Sequence, residues 1–318
     1  MADIFHKWSD VSGVLQNHFI SDELLKVAFA DMMVVPFTSK VQSYGKKAGE
    51  TVNIKHVKKL TVPTDATLEA TSRVPLDIMS WGDRAITVVE MGRGVIVDEL
   101  ESILSKFDPE GEAYRELKDQ MSAVLDNAAA AAFKSTDVKL TYSPTSLTGG
   151  TWGTSGTAGA LATSNITKHH MRAIRNAMAS TYVIPPFKGK YWMALLSTAA
   201  LDGLADDYEH WSLYLRDEDY FYRYEVGQMY NIRLQEVVRT EAFAATSGNS
   251  SVLGEGVVFG DRAVARAVAK TPELIVTRNY GQDANRRHAI HWLGVMKFAS
   301  WWNTATKGEA KIVRICST

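Results

Sequence analysis

The residues of this chain that could do chemistry are few and poorly grouped. His169 and His170 are adjacent, so on a helix they point in different directions and cannot easily share a metal ion. His288 and His291 are three apart, which on a strand places them on opposite faces. Neither pair has a carboxylate at ligand spacing, and a surface or interface role outweighs a metal role for both. Asp202, Asp206, Asp207 and Glu209 form an acidic cluster that could hold a divalent cation, although the solvated face of a short helix is the weightier reading. Gly254, Gly256 and Gly260 miss the dinucleotide fingerprint because three residues separate the last pair. No phosphate-cradling G-x-x-x-x-G-K-[ST] run occurs, and around Ser155 the second glycine of a nucleophile elbow is displaced. The single cysteine, Cys316, can form no internal disulfide and has no catalytic partner nearby in sequence. The expectation is no catalytic, cofactor-binding or metal-binding residues.

Other residues have types suited to contact rather than catalysis. Lys55, Lys58 and Lys59 form a basic strand face, with Lys46 and Lys47 just before it. Such a face either pairs with an acidic neighbour or protects a strand edge, and both can hold. Trp301 and Trp302 are adjacent, so on a strand one ring is free to reach a neighbouring molecule.

The elements that must position these residues follow from periodicity. A helix is predicted from Asp22 to about Met33, N-capped by Ser21 and stopped by Pro36. Thr51–Lys58 alternates apolar and polar residues, and Arg84–Met91 is rich in β-branched ones; together they read as a hairpin with a long irregular tip. The clearest helix spans 108–134, with Asp108 as cap, Pro109 in the first turn, and Leu117, Met121, Val124, Leu125, Ala128 and Ala132 on one stripe. At about 1.5 Å per residue it is roughly 35–40 Å long, and the run Ala128–Ala132 lets another backbone approach closely. Residues 141–165 are rich in Gly, Ser and Thr and read as a loop. A second helix runs from Thr167 to Thr181, then a buried strand over Tyr191–Leu196, two short helices between Thr198 and Leu215, and a strand over Ile232–Val238. A short helix is predicted near Ala263–Ala269, followed by strands over His288–Phe298 and Lys311–Cys316. The order lacks the regular βα alternation of doubly wound or barrel folds, so the class is α+β.

Composition bounds the rest. Hydrophobic residues are 46% and charged residues 22%, ordinary for a globular chain. Lys and Arg total 35 against 36 for Asp and Glu, a net charge of −1. A protein that grips nucleic acid is usually basic, so proximity to DNA without tight binding is the most this balance suggests. The first residues show no basic region followed by an apolar run, and no stretch approaches the ~20 residues of a membrane span, so a soluble, cytoplasmically made chain is expected. The glycosylation patterns Asn165-Ile166-Thr167 and Asn249-Ser250-Ser251 then carry no meaning.

The order of arm, hairpin, long helix and mixed α/β segment resembles the Hong Kong 97-like coat fold. Residues Lys40–Lys46 with Gly49-Glu50-Thr51-Val52, Tyr224–Gln228 followed by Ile232–Glu236, Gly254–Gly260, Pro272-Glu273-Leu274, Tyr280-Gly281 and the strand to Trp292 and Gly294 resemble successive blocks of the major capsid proteins of N-four-type podophages. The resemblance implies an N-terminal arm (1–45), an E-loop hairpin (46–95), a spine helix and P-domain (96–140), an A-domain (141–250), and C-terminal strands returning to the P-domain (251–318). It implies a coat protein of the virion, assembled in the host cytoplasm into pentamers and hexamers of an icosahedral head around double-stranded DNA. Its partners would be further copies of itself, a scaffolding protein, a portal and a decoration protein, with no membrane and no cofactor. The expected interface residues are Lys46, Lys47, Lys55, Lys58, Lys59, Arg73, Trp81 and Trp301. No residue set licenses the covalent Lys–Asn crosslink of some such shells. Competing readings are a nanocompartment shell of the same fold, a metal-dependent hydrolase using the acidic cluster with His169 or His170, and a tail or adhesion protein, against which the long helix argues.

Overall fold

A computed structural model describes residues 32–41, 49–58, 60, 62–68, 73–106, 108–142, 150–157, 162, 165–206, 225–243, 254–277, 286–302 and 304–316. In chain order a 3₁₀ turn (Val35–Phe37) leads into β1 (Ser39–Lys40), β2 (Thr51–Val57), β3 (Trp81–Thr87), β4 (Val89–Asp98), α1 (Glu99–Leu104) and α2 (Pro109–Lys134). Next come β5 (Lys139–Thr141), β6 (Thr151–Gly153), α3 (Lys168–Asn176) with a π-helical extension (Ala177–Thr181), β7 (Trp192–Ser197) and α4 (Thr198–Asp206). The chain closes with β8 (Glu225–Met229), β9 (Ile232–Val237), β10 (Gly256–Phe259), β11 (Val264–Thr277), β12 (Arg287–Ser300) and β13 (Ile312–Ile315). Of the helix expected from Asp22 to Met33, only the last two residues are described, and the second short helix expected before Leu215 also lies outside the described residues.

Three sheets form. A two-stranded ladder pairs β2 with β3, a four-stranded sheet runs β1-β11-β12-β4, and a seven-stranded sheet runs β6-β5-β13-β10-β7-β9-β8. The seven-stranded sheet is buried on both faces, and β7 records this directly. Trp192, Ala194 and Leu196 join a core with Met171, Ile174 and Met178 of the α3 region, while Met193 and Leu195 point the other way into a core with the end of α2. A strand covered on both sides reads as a continuous apolar run, which is why Trp192-Met193-Ala194-Leu195-Leu196 shows no alternation.

Helix α2 connects the two larger sheets. Asp108 accepts a hydrogen bond from the Glu110 N–H at 3.2 Å, and Pro109 occupies the first turn. The first half of α2 packs Leu117 and Met121 against Val97, Ile290 and Trp292 of the four-stranded sheet. The second half packs Leu125, Ala129, Ala130 and Phe133 against Phe259, Met193 and Ile312 of the seven-stranded sheet. Ala129 and Ala130 are fully buried, so the short side chains do bring the helix close to its neighbours.

One polar residue sits in that apolar stripe. Asp126 is completely buried, and its carboxylate accepts hydrogen bonds from three successive backbone N–H groups: Met33 at 2.7 Å, Val34 at 3.2 Å and Val35 at 3.1 Å. The Arg239 guanidinium lies 3.9 Å away. A charge-assisted set of this kind satisfies the open N–H groups at the start of the 3₁₀ turn and fixes residues 32–40 across the helix.

Two sequence expectations are corrected. The short helix expected at Ala263–Ala269 is instead the first half of the 14-residue strand β11, paired antiparallel along β12. Alanine favours helix in isolation, but pairing and the burial of Val264, Ala265 and Ala267 override it. The returning strand expected over Arg84–Met91 is two strands broken at Val88: β3 pairs with the hairpin partner β2, and β4 departs to pair with β12. The strands of residues 251–318 divide between layers, β10 and β13 lying in the seven-stranded sheet and β11 and β12 in the four-stranded one.

Replacing Asp126 with Ala leaves three buried N–H groups without their acceptor and removes the carboxylate that faces the Arg239 guanidinium. The expected loss is about 3–5 kcal/mol of folding free energy, with a smaller loss for Asp126→Asn. Urea denaturation of the purified protein measures it; a loss below about 1 kcal/mol would show that the carboxylate does not hold residues 33–35 in place.

Candidate interaction surface

The β2–β3 hairpin stands apart from both larger sheets, and its inward face explains how it is attached. Pairing runs from Thr51 opposite Thr87 to Val57 opposite Trp81. With a period of two, Val52, Ile54 and His56 share one face. Ile54 and Ile86 bury against Ala265 and Ala267 of β11, with Trp301 packed alongside. The His56 ring lies 4.1 Å from that of Trp302, centroid to centroid, at 43°. A cavity of about 250 Å³ lies beside this contact, lined by Lys58, Asp83, Arg84 and Glu309 among others. Burial pushes the His56 pKa below its ordinary 6.5; a hydrogen bond with the Trp301 backbone and the Glu309 charge oppose this, and Lys311 and Arg84 reinforce it.

Beyond the ladder the hairpin opens into an apolar tip. The Lys58 N–H donates to the Ser80 carbonyl at 2.9 Å as the last rung. The described residues between them have no regular structure, and Val62, Val74 and Met79 are exposed. Leu76 and Ile78 are 89% and 92% exposed, and Trp81 is 63% exposed. A second exposed apolar set lies on α1. Asp98 caps this helix by accepting from the Leu100 N–H at 3.1 Å, and Leu100, Ile103 and Leu104 form an outward stripe at helical spacing. Apolar groupings of this kind on a chain with well-filled cores mark surfaces that another molecule covers.

The expected interface residues are distributed unevenly on this frame. Lys46, Lys47 and Lys59 lie outside the described residues. Lys55 is exposed on the outward face of β2, whereas Lys58 lines the cavity beside His56. The single basic face expected for these lysines is therefore split, because residues three apart on a strand fall on opposite sides. Arg73 is exposed on the tip and Trp81 stands at its base. Trp301 is packed at the root of the hairpin. Sequence reasoning missed Leu76, Ile78 and the α1 stripe. The available signal was aliphatic residues in a Pro- and Asp-rich segment too irregular to bury them.

The residues screened for chemistry have structural roles here. His170 Nδ1 accepts from the Thr167 N–H at 3.1 Å at the start of α3, and its ring packs near that of Tyr142. His288 Nε2 lies 3.0 Å from Glu110 on α2. A Cβ on Gly254 would come within 2.0 Å of Ser197 Oγ, and one on Gly260 within 2.1 Å of the Pro185 carbonyl, so these glycines permit close packing. Among the described residues, no group of three or more His, Cys, Asp or Glu is placed to hold a metal ion. No described helix is long and apolar enough to cross a membrane. Of the acidic cluster, Asp202 is exposed, and the side chains of Asp206, Asp207 and Glu209 lie outside the described residues.

No family model matches the sequence, and no curated protein matches it. Solved structures do match along nearly the whole chain. The capsid of Ralstonia phage GP4 superposes with a TM-score of 0.66 at 11% identity, covering 99% of this chain and 95% of that one. The capsid asymmetric unit of cyanophage Pam1 gives 0.66 at 15% identity over 100% and 99%. The head of Helicobacter pylori bacteriophage KHP40 gives 0.63 at 11% identity over 98% and 96%. The fold is that of phage capsid subunits, the Hong Kong 97-like coat fold implied by the sequence resemblance.

The His56 geometry predicts how hairpin attachment depends on pH. The folded state favours neutral His56, so its contribution is present above pH 6.5 and is lost as the pH falls through 6.5 toward the folded pKa. The fall in Tm between pH 7.5 and pH 5 is expected to be smaller in His56→Phe than in the parent. An equal fall in both would show that His56 titrates alike in the folded and unfolded chains.

Proposed function

We propose that this chain is the major capsid protein of a bacteriophage and builds an icosahedral head from pentamers and hexamers of itself. The observation that carries this reading is the likeness to phage capsid subunits over essentially the full length of the chain, tip and both sheets included. The exposed apolar tip supports it independently, because a lone subunit gains nothing by presenting Leu76, Ile78 and Trp81 to water. In this reading the β2–β3 hairpin is the E-loop, α2 the spine, the four-stranded sheet the P-domain and the seven-stranded sheet the A-domain. The E-loop and arm of one subunit overlap the next, with Lys46, Lys47, Lys55, Lys58, Lys59, Arg73, Trp81 and Trp301 in or beside the contact.

The role is structural, and closure of a symmetric lattice makes many modest contacts sufficient. A scaffolding protein and a portal direct assembly in the host cytoplasm, and a decoration protein is a further candidate partner. DNA lies beside the inner surface without sequence recognition, consistent with the net charge of −1. The phage reading is favoured over a nanocompartment because the matched structures are phage capsids. A hydrolase built on the paired histidines is disfavoured by His170, which is buried and commits Nδ1 to the start of α3.

Size-exclusion chromatography and negative-stain microscopy of the purified protein test the proposal. Rings or closed shells are expected, alone or with scaffold co-expressed. Leu76→Asp with Ile78→Asp is expected to abolish them while changing subunit stability by no more than about 0.5 kcal/mol, since both side chains are exposed. A parent protein that stays monomeric even with scaffold would overturn the reading.

A further inference from the structure

We propose that the cleft between residues 32–40 and the long helix binds a free long-chain alkyl carboxylate, a function separate from the coat role. The cleft has a volume of about 340 Å³, within the usual range of small-molecule sites. Met121 and Leu125 of α2 with Val268 and Met296 of the four-stranded sheet supply its apolar walls. Methionine side chains are flexible and polarisable, so such walls adapt to an aliphatic chain of variable shape. An apolar void of about 150 Å³ holds one benzene, so this cleft suits a single chain of about a dozen carbons, not the paired chains of a bilayer lipid.

The polar lining selects the headgroup. Lys40 and Arg266 both line the cleft, and they are cross-strand partners where β1 pairs with β11. Arg266 Nε is buried, and among the described residues no group accepts a hydrogen bond from it. No carboxylate lines the cleft among the described residues; that of Asp126, next to Leu125, is taken by the N–H groups of residues 33 to 35. Two cations side by side beside apolar walls specify an anionic head on an aliphatic tail. A guanidinium offers parallel donors that match a planar carboxylate. The backbone here suits a small ligand better than a peptide strand. Among the described residues no strand continues β1 along β11 beyond Arg266. The pairing of β11 with β12 is irregular between Val268 and Glu273, and Pro272 in that stretch has no N–H to offer an added strand.

Isothermal titration of the purified protein with dodecanoate, held below its micelle concentration, tests the site. Saturable binding of one dodecanoate per chain is expected. Dodecyltrimethylammonium, with the same tail and the opposite charge, is expected to bind about tenfold more weakly or worse, and Lys40→Gln is expected to weaken dodecanoate by about tenfold. Lys40 is exposed, so the Tm of this variant stays at the parent value and serves as the folding control. Lys40→Arg is expected to bind as the parent does. A second measurement locates the ligand: dodecanoate carrying a diazirine on its tail is expected, on illumination, to mark the peptides that hold Met121 or Met296. Equal binding of the cationic analogue, undiminished binding by Lys40→Gln, or labelling confined to other peptides would each overturn the site. So would no binding at all, the result if a segment of protein fills the cleft. Each of these outcomes leaves the coat role intact.

Discussion

Asp126 is the point at which three parts of the molecule become one. It lies on the long helix, takes the N–H groups of residues 33 to 35 on its two oxygens, and faces Arg239, which follows the last residue of β9 by two positions. A buried carboxylate is costly unless every lone pair finds a donor, so the site tolerates little rearrangement of any partner. The arm is thereby held over α2, which delivers Lys40 to its position opposite Arg266 in β11. A hydrophobic contact at the same place would hold the arm with less directional precision, because apolar burial is not directional.

The long helix can serve two sheets because its two halves differ. Leu117 and Met121 reach across a gap to the four-stranded sheet, while Ala129 and Ala130 let the backbone approach the seven-stranded one. The helix thus crosses from one core to the other without a break. A rigid element shared by two cores moves them together, whereas the hairpin is joined to neither core by a helix.

How much of this was legible in the sequence depended on whether the signal was local. The long helix was, because Asp108, Pro109 and the apolar stripe mark both its start and its buried side. So were Thr167–Thr181 and the buried run of β7, whose ends and apolar content are local properties. Strand β11 was not, since its alanines favour a helix until β12 is placed beside them. The break at Val88 was equally hidden, because nothing between Ile86 and Met91 distinguishes residues that pair with β2 from those that pair with β12. Asp126 is visible as an acid in an apolar stripe, but its partners are more than ninety residues away. Of the interface residues, a lysine-rich strand was readable, whereas the division of Lys55 from Lys58 needed the end of β2 to be known.

The attachment of the hairpin sets what kind of contact it can make. Ile54 and Ile86 are the two large aliphatic residues it buries fully, worth at most about 3–6 kcal/mol together, and they rest on alanines that offer little interlocking. The His56–Trp302 contact adds a modest aromatic term that weakens in acid. This total is of the same order as the burial of two or three tip residues in a partner. The angle of the hairpin is therefore decided jointly by its root and by whatever covers its tip, while the seven-stranded sheet, with a core of some twenty buried residues on each face, keeps its shape. In the proposed coat role, a chain built this way would meet neighbours at slightly different angles without rebuilding its core, which is what a closed shell of fivefold and sixfold rings demands of a single chain.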